Sequence, residues 1–463
     1  MVVKTSSDEI YKPVADFYAG KSVFITGGTG FLGKVFIEKL LYSCPDIDKI
    51  YMLVRDKKGV SSAERVKDFV NNPIFSKLKV NRPADLDKIV PISGDIGLPN
   101  LGLNAIDEET LIEKVSVIIH SAATVKFNEP LKEAWKINVE GTKMMVDLSR
   151  RMKNIEVFIH ISTAFTNTDR QVVDEILYPA PVDIDEVYLK IKEGVTAAGT
   201  KKILKGRPNT YTFTKAVTEH LVAENRGFVP TIIIRPSVVT AAKEHPIKGW
   251  LENWYGATGL STSTAKGMNR IVHGVEENII DLIPVDYVAN AVIVSGARSR
   301  ILNEVTIYNC CTSDCNPITL GKILRTFKED TIKYDNSKYI HLRPAWLPLL
   351  HVPILFTTHR WLIPIVTILF QIIPAYMADT WRQFMGKRPR YMKLQSLVIQ
   401  TRDALAYFTS HSWLMKASGV RGLYAGLSAT DRAMFPCDPI DIHWDQYMAD
   451  YCWGVRRFLE HKI

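Results

Sequence analysis

A tyrosine and a lysine stand four residues apart in the sequence Tyr-Thr-Phe-Thr-Lys at residues 211–215. On a helix, positions four apart lie on the same face, so both side chains should point into the same space. A free phenol, with a pKa of about 10, is a weak acid–base group at neutral pH, but a neighbouring ammonium stabilises the phenolate. Lys215 is therefore expected to lower the pKa of Tyr211 and to make the pair fit for proton transfer. Because the spacing also fits an ordinary surface pair, it predicts catalysis only together with a cofactor site.

A third polar group stands at residues 160–164, in the sequence His-Ile-Ser-Thr-Ala. This is the end of a predicted strand, and ligands of parallel sheets bind outside the carboxyl ends of the strands. A hydroxyl there can hold a substrate oxygen beside the tyrosine, with Thr163 as the first choice and Ser162 as the second. His160 and His120 also stand at strand ends, but apolar neighbours favour a structural role, and no metal site is predicted.

A glycine-rich loop lies between a predicted strand and a predicted helix. It consists of Thr26, Gly27, Gly28, Thr29, Gly30, Phe31, Leu32 and Gly33. Three of its glycines recur at three-residue spacing, where the chain must turn sharply, approach a pyrophosphate and pack a helix tightly. A helix starting near Phe31 directs its amide N–H groups and positive dipole end at phosphates. The loop therefore predicts dinucleotide binding.

The end of the second predicted strand distinguishes NADPH from NADH. An NAD site usually carries an acid about 20 residues after the loop, whereas this chain has Arg55 there. An arginine suits a 2′-phosphate and predicts NADPH, with Lys57 and Lys58 adding positive charge. Asp56 could take a ribose hydroxyl instead, so NADH remains the alternative.

Two further strand ends are expected to contact the cofactor. Asp95 and Ile96 end the third strand, where the carboxylate could reach the adenine amino group. Ser121, Ala122 and Ala123 end the fourth, and their small side chains would let the cofactor lie against the backbone.

A parallel sheet must position these residues. Between residues 21 and 300, β-branched runs alternate with amphipathic stretches, and the runs are apolar almost throughout, as in strands covered by helices on both faces. The predicted strands are Ser22 to Thr26, Lys49 to Val54, Ile89 to Ser93, Ser116 to His120, Val157 to Ser162 and Thr231 to Ile234. The expected fold is α/β, a doubly wound parallel Rossmann sheet with right-handed crossovers and a mostly helical C-terminal domain.

Length and composition limit the classes of function. The 463 residues exceed one ordinary domain of roughly 150, and we expect an N-terminal segment (1–20), an NADPH-binding catalytic domain (21–340), an apolar segment (341–378) and a C-terminal domain (379–463). A net charge of +9 suits anionic partners, but zinc-finger, RRM-like and helix-turn-helix spacings are absent, so no nucleic acid partner is expected. Six cysteines are too few for a disulfide scaffold and are interpreted as reduced thiols. No secretory signal opens the chain, which predicts that the catalytic part faces the cytosol.

The stretch at residues 361–378 has no charged side chain and is about long enough to cross a bilayer. Pro364, Gln371 and Pro374 weaken a simple span. A span, a re-entrant or interfacial segment, and a buried helix lining an acyl tunnel all remain open. The basic residues Lys387, Arg388, Arg390 and Lys393 follow, and they fit either the anionic cytoplasmic leaflet or a solvated face.

Together these motifs resemble the extended short-chain dehydrogenase/reductase superfamily, and within it the alcohol-forming fatty acyl-CoA reductases. The resemblance is carried by residues 23–33, 118–123, 162–164, 208–211, 233–237 and 281–288, and in the tail by residues 409–413, 435–438 and 442–445. The tail looks closest to the moth pheromone-gland type, which implies pheromone biosynthesis. The chain departs from the pattern at Phe165, where tyrosine is common, and in having no apolar anchor after the tail.

The resemblance implies roles for individual residues. Tyr211 and Lys215 would be the catalytic pair, and the hydroxyl at 162–163 would hold the oxyanion. Asn138 would organise a lysine-linked water, and Pro236, Ser237 and Val238 would line the nicotinamide.

It also implies a reaction and a setting. NADPH would reduce a long-chain fatty acyl-CoA, through a hemithioacetal and a bound aldehyde, to the primary alcohol with release of CoA. The enzyme would lie at the endoplasmic reticulum membrane with its catalytic domain in the cytosol, and a homodimer is left open. The alternatives are another extended short-chain dehydrogenase, acting on steroids or nucleotide sugars, and a non-catalytic NADPH-binding protein.

Overall fold

The computed structural model describes residues 11–57, 59–299, 301, 304–334 and 353–460. Outside the described residues lie the first ten positions of the predicted N-terminal segment, Lys58, the predicted boundary at 340/341, and residues 341–352 of the apolar segment.

The strands are mostly short and apolar. In chain order they are β1 Ser22–Thr26, β2 Ile50–Val54, β3 Ile89–Ser93, β4 Val115–His120, β5 Val157–Ile161, β6 Val172–Val173, β7 Thr231–Pro236, β8 Val238–Thr240, β9 Ile271–His273, β10 Leu282–Pro284, β11 Val305–Cys310, β12 Leu355–Thr357 and β13 Leu414–Met415.

Helices connect these strands and form most of the tail. They are α1 Val14–Tyr18, α2 Phe31–Ser43, α3 Ser62–Phe69, α4 Ser76–Asn81, α5 Ala105–Lys114, α6 Leu131–Ala134, α7 Gly141–Ser149, α8 Ile184–Glu193, α9 Ala197–Ile203, α10 Thr210–Asn225, α11 Ala257–Ala265, α12 Val285–Arg298, α13 Leu320–Tyr334, α14 Leu362–Thr367, α15 Ile373–Phe384, α16 Tyr391–Thr409, α17 Ser418–Ala425, α18 Ala429–Met434 and α19 Trp444–Gly454. Three π-helical turns, Trp135–Glu140, Ile368–Ile372 and Val455–Leu459, extend neighbouring α-helices.

Seven strands form one parallel sheet in the order β11-β7-β5-β4-β1-β2-β3. The chain starts in the middle with β1, builds outwards to β3, and returns to the other side with β4. This reversal creates a crevice beyond β1 and β4, the place where doubly wound sheets bind ligands. The six predicted strands are confirmed within two residues at each end, and β11 is a seventh that the sequence did not predict.

The tail packs into the same apolar core as the sheet's helices. Tyr447, Met448 and Tyr451 of α19 are buried in one cluster with residues of α12 and β10. The Tyr447 hydroxyl lies 2.6 Å from the Thr240 hydroxyl and donates to the Ala241 carbonyl at 2.8 Å. The C-terminal part therefore forms a continuous body with the sheet.

Two contacts bring the end of α16 towards the carboxyl ends of the strands. β13, which follows α16, pairs in parallel with β6, so Met415 lies beside Val173. The Trp413 indole donates to the Thr168 carbonyl at 3.3 Å. The last turn of α16 is thereby fixed next to the loop that follows β5.

Candidate active site

The glycine loop turns from β1 into α2 with space for no side chain at two positions. Gly27 has a φ of +73°, and a Cβ there would lie 2.8 Å from the backbone nitrogen of Ala122. A Cβ on Gly33 would lie 2.2 Å from the Gly27 carbonyl oxygen. The loop therefore presses against the end of β4, and none of the described side chains caps α2, whose first amides face the crevice. This backbone cradle fits a pyrophosphate.

Buried hydroxyls and a histidine fix the two central strand ends to each other. The Thr26 hydroxyl lies 2.7 Å from Nδ1 of His120 and accepts a hydrogen bond from the Ala122 amide at 3.2 Å. On its other side, Nε2 of His120 lies 3.0 Å from the Thr142 hydroxyl. Burial, with a contribution from the Lys215 charge, lowers the pKa of His120 to about 3. The imidazole is therefore neutral and positions the backbone of residues 121–123.

Arg55 extends from the end of β2 with a side chain that is 63% exposed, and its Nη1 lies 3.5 Å from the Asp95 carboxylate. The adjacent Asp56 is already engaged, because its Oδ1 accepts from the Ser62 amide at 2.7 Å. A second arginine joins the group, since Arg65 donates to the Arg55 carbonyl. Sequence reasoning missed Arg65, although the capping box formed by Ser61 and Glu64 at the start of α3 could have placed it.

The third strand end contributes mainly backbone geometry. Asp95 accepts from the Gly97 amide at 2.9 Å, and Ile96 is buried against Gly141, whose added Cβ would meet it at 2.6 Å. Just after β7, the amide of Ser237 donates to the Cys310 carbonyl, and that of Val238, the first residue of β8, donates to the Asp281 carbonyl, both at 3.1 Å.

Tyr211 and Lys215 lie on the first turns of α10, which the Asn209 side chain caps by accepting from the Thr212 amide at 2.9 Å. Tyr211 is partly exposed, and Lys215 is 3% exposed. The ammonium donates to the Ile161 carbonyl at 2.6 Å, at the end of β5. Burial lowers the pKa of Lys215 to about 8, against a raising effect of the Glu219 carboxylate.

The prediction that the pKa of Tyr211 is lowered is wrong. Burial raises the pKa of Tyr211 to about 12, and a hydrogen bond with the Thr163 hydroxyl only partly opposes this. The Lys215 charge does not lower the pKa of Tyr211 in this arrangement. Tyr211 is therefore a protonated phenol at neutral pH, a state suited to donating a hydrogen bond or a proton.

The two neighbouring hydroxyls after β5 have different surroundings. Thr163 contacts the Tyr211 hydroxyl, donates to the Pro236 carbonyl at 3.3 Å and accepts from the Phe165 amide at 3.3 Å. Ser162 points the other way and donates to the Glu219 carboxylate at 2.5 Å. Of the two, only Thr163 is next to the phenol.

Glu219 is a site residue that the sequence analysis missed. It lies one further turn along α10 from Lys215 and forms a fully buried ion pair with Arg235, at 2.9 Å to Nε and 2.7 Å to Nη2. A carboxylate that continues the four-residue spacing of Tyr211 and Lys215 along the same helix was the available signal.

Asn138 lies in a π-helical turn and is 1% exposed. Its Oδ1 accepts from the Thr124 amide at 2.9 Å, and its Nδ2 donates to the Thr214 hydroxyl at 2.9 Å. The described contacts thus join the loop after β4 to α10, next to Lys215 in sequence, with no direct bond from Asn138 to the lysine among the described residues.

Four rings, those of Phe127, Phe408, Phe165 and Trp413, form an aromatic wall that begins at Tyr211. Phe127 stacks on Tyr211 with ring centroids 6.2 Å apart and lies 5.5 Å from Phe408 of α16. Phe408 meets Phe165 edge-on at 5.1 Å, and Phe165 meets Trp413 in the same way at 5.7 Å. No motif spacing connects these residues, which come together only through the docking of the tail. Among the described residues, no His, Cys, Asp and Glu side chains group as metal ligands.

Comparisons with known proteins agree with this arrangement. An NAD-binding family described as male sterility protein matches residues 25–292, and a second family of that description matches residues 370–462. Fatty acyl-CoA reductase 1 of Homo sapiens is 34% identical over 96% of this chain and 86% of its own length. Fatty acyl-CoA reductase wat of Drosophila melanogaster is also 34% identical, over the same shares.

Solved structures share the fold at lower identity. The terminal R domain of the myxalamid PKS-NRPS pathway aligns with a TM-score of 0.60 and 20% identity over 96% of this chain and 92% of its own. The reductase domain of a nonribosomal peptide synthetase from Mycobacterium tuberculosis aligns with a TM-score of 0.58 and 16% identity over 96% and 95%.

Proposed function

We propose that NADPH is the reductant of this enzyme and that Tyr211, Thr163 and Lys215 carry its chemistry. The chain belongs to the fatty acyl-CoA reductases, which are oxidoreductases that convert fatty acyl-CoA to the alcohol. The observation behind this proposal is that the Tyr211 phenol and the Thr163 hydroxyl are neighbours at the end of β5, where the buried Lys215 ammonium donates to the Ile161 carbonyl. The substrate class excludes the steroid, nucleotide-sugar and non-catalytic alternatives.

Three features of the crevice support NADPH. The cradle at Gly27 and Gly33 accepts a pyrophosphate where a Cβ would clash. Arg55 offers an exposed guanidinium to a 2′-phosphate, with Arg65 beside it. Asp56, the acid that could select NADH, is occupied by the amide of Ser62. Small side chains at residues 121–123 and the backbone of residues 236–238 would line the rest of the cofactor.

When bound, NADPH supplies a hydride to the substrate carbonyl. Tyr211 and Thr163 donate hydrogen bonds to the carbonyl oxygen, which becomes negative as the thioester is reduced to a hemithioacetal. Collapse of the hemithioacetal releases CoA as the thiol and leaves an aldehyde. In the second reduction Tyr211 gives its proton to the forming alkoxide, and its raised pKa ensures that this proton is present at neutral pH.

Lys215 and Asn138 would support the cofactor ribose and the supply of protons to Tyr211. With a pKa of about 8, Lys215 is largely cationic at neutral pH and offers positive charge and N–H donors to the cofactor ribose. Asn138 fixes the loop after β4 against α10 and would hold a water that replenishes the proton through the lysine. Ser162 supports the site indirectly by binding Glu219, which keeps Lys215 charged.

The aromatic wall supports a long apolar acyl chain as the natural substrate. Phe127 stacks on Tyr211, Phe408 and Phe165 continue the row of rings from it, and together they would exclude water from the reacting thioester. We also propose that the enzyme acts at the endoplasmic reticulum membrane with this site facing the cytosol. The role in pheromone biosynthesis that the resemblance to the moth enzymes implies stays a prediction. The formation of a homodimer by this chain also stays a prediction.

One assay tests the proposal. Purified protein is incubated with NADPH and palmitoyl-CoA, and NADPH oxidation, free thiol and hexadecanol are measured together. We expect two NADPH consumed for each thiol and each alcohol. Tyr211→Phe should reduce turnover by about 100- to 10,000-fold while NADPH binding is kept. Tyr255→Phe, at a side chain that is 80% exposed, is the matched control. Thiol release by Tyr211→Phe at the rate of the unsubstituted protein would refute the assignment.

A further inference from the structure

One described helix is long and apolar enough to cross a membrane, Leu362–Phe384, made of α14, a π-helical turn and α15. Its buried positions recur every four residues, at Thr367, Gln371, Ala375 and Asp379. Positions four apart drift around a regular α-helix of 3.6 residues per turn, and the wider π turn takes up part of this drift. The buried positions therefore stay on one side, and three of the four are polar.

This polar stripe attaches the helix to the body of the protein. The Thr367 hydroxyl accepts from the Arg402 guanidinium at 2.6 Å, and Gln371 donates to the Asn269 side chain at 3.4 Å. The Asp379 carboxylate accepts from the backbone amides of residues 390, 391 and 392, at 2.8, 3.0 and 2.8 Å. Both ends of the helix are thus held on the same side, α14 against β9 and α15 against α16.

The outward side is apolar, the reverse of an ordinary surface helix. Trp361 before the helix, Phe384 at its end and Met385 after it are more than half exposed, and the exposed apolar side chains between them are Ile365, Ile368, Leu369, Phe370, Ile373, Tyr376, Met377 and Trp381. A continuous apolar surface of this kind marks an interaction site. Tryptophan and tyrosine on it are the residues that favour the boundary between lipid and water.

Positive charge borders this apolar face. Lys387, Arg388, Arg390 and Lys393 are all exposed in the turn after α15 and at the start of α16. A basic cluster beside an apolar helix is attracted to anionic lipid headgroups, whereas a second protein surface would need matching acidic residues.

We infer that Leu362–Phe384 lies flat in one leaflet of a bilayer with anionic lipids, its apolar face in the acyl region and its polar stripe on the protein. This inference refines the membrane association proposed above and is independent of the redox chemistry. A span would pull Asp379 and Gln371 away from their partners into hydrocarbon, where unpaired polar groups are costly. A tunnel lining would turn the large apolar side chains inwards, and they face outwards.

Vesicle flotation tests the inference with the full chain. The protein should float with phosphatidylcholine vesicles that contain phosphatidylserine. Leu369→Asp with Ile373→Asp should remain at the bottom, whereas Ile106→Asp with Leu189→Asp, exposed apolar residues elsewhere, should float normally. Replacing Lys387, Arg388 and Lys393 by glutamine should weaken binding about fivefold for each charge removed, only where phosphatidylserine is present.

Three outcomes would overturn the inference. The first is that Leu369→Asp with Ile373→Asp floats as well as the unsubstituted protein. The second is that this variant fails to float only because it dissociates a dimer, which light scattering without vesicles would reveal. The third is that an Asn-X-Ser glycosylation sequence added at the C-terminus is glycosylated in microsomes, which would mean that Leu362–Phe384 spans the bilayer. NADPH oxidation with micellar palmitoyl-CoA, measured on the same variant, separates a failure of docking from a failure of the proposed function.

Discussion

Thr163 and Ser162 carry adjacent hydroxyls whose removal should have different effects: loss of the first should lower kcat, and loss of the second should lower stability. Thr163→Val keeps the shape but removes the donor beside Tyr211, and losing one such donor to a developing oxyanion costs about 100- to 1000-fold in kcat, or roughly 3–4 kcal/mol. Ser162→Ala removes a 2.5 Å bond to the Glu219 carboxylate, which still binds Arg235 at 2.9 and 2.7 Å. Because the charge stays paired, the loss should appear in stability, at about 1.5–3 kcal/mol.

The assay measures two quantities on both variants: kcat for NADPH oxidation with palmitoyl-CoA, and the free energy of unfolding in urea. Thr163→Val also deprives the Phe165 amide of its acceptor, so a stability loss of about 1 kcal/mol is expected beside the kinetic loss. Ser162→Ala should keep kcat within a few fold. The reasoning is refuted if Ser162→Ala loses as much kcat as Thr163→Val while remaining as stable as the unsubstituted protein.

Three further predictions concern the cofactor and the proton source. Arg55→Asp should shift preference from NADPH towards NADH by about 10- to 100-fold in kcat/KM, since a charged hydrogen bond to the 2′-phosphate is lost; Lys67→Asp, an exposed charge change on α3, should leave the preference unaltered. The ammonium of Lys215 loses its proton as pH rises through its pKa of about 8, so a pH profile of kcat/KM should bend downwards around that pH and keep falling above it; a profile that stays flat to pH 10 would contradict this. Gly33→Ala should abolish NADPH binding in a fluorescence titration, because its Cβ would lie 2.2 Å from a carbonyl oxygen, whereas Gly422→Ala, with nothing within 4 Å, should bind normally.

The sheet could be predicted because parallel strands covered on both faces are written as short apolar runs. β11 was missed because its sequence, Val-Thr-Ile-Tyr-Asn-Cys, is interrupted by polar residues. Asn309 is tolerated in the core since its side-chain amide donates to the carbonyls of Val173 and Lys416, at 3.2 and 2.8 Å. Those partners come from β6 and the tail, which no local pattern reveals.

The site divides in the same way between local and tertiary information. The glycine loop and the spacing of Tyr211 and Lys215 are local, so the sequence contains them. The choice between two neighbouring hydroxyls depends on which side of β5 faces Glu219. The pKa of Tyr211 depends on burial, and the rings around it come together in the fold: Phe127 stacks on Tyr211 and meets Phe408, which comes from a helix almost 200 residues further along the chain. Neither fact can be read from spacing.

The apolar segment illustrates what composition leaves out. A hydropathy sum over residues 361–378 counts how many side chains are apolar and carries no direction, so a span, an interfacial helix and a tunnel lining give the same sum. The direction comes from Thr367 and Gln371, whose few polar atoms bond to Arg402 and Asn269 and fix which side faces the protein. The polar residues that weakened the helix as a span are thus the ones that hold it on the body, and the apolar majority is left to face outwards.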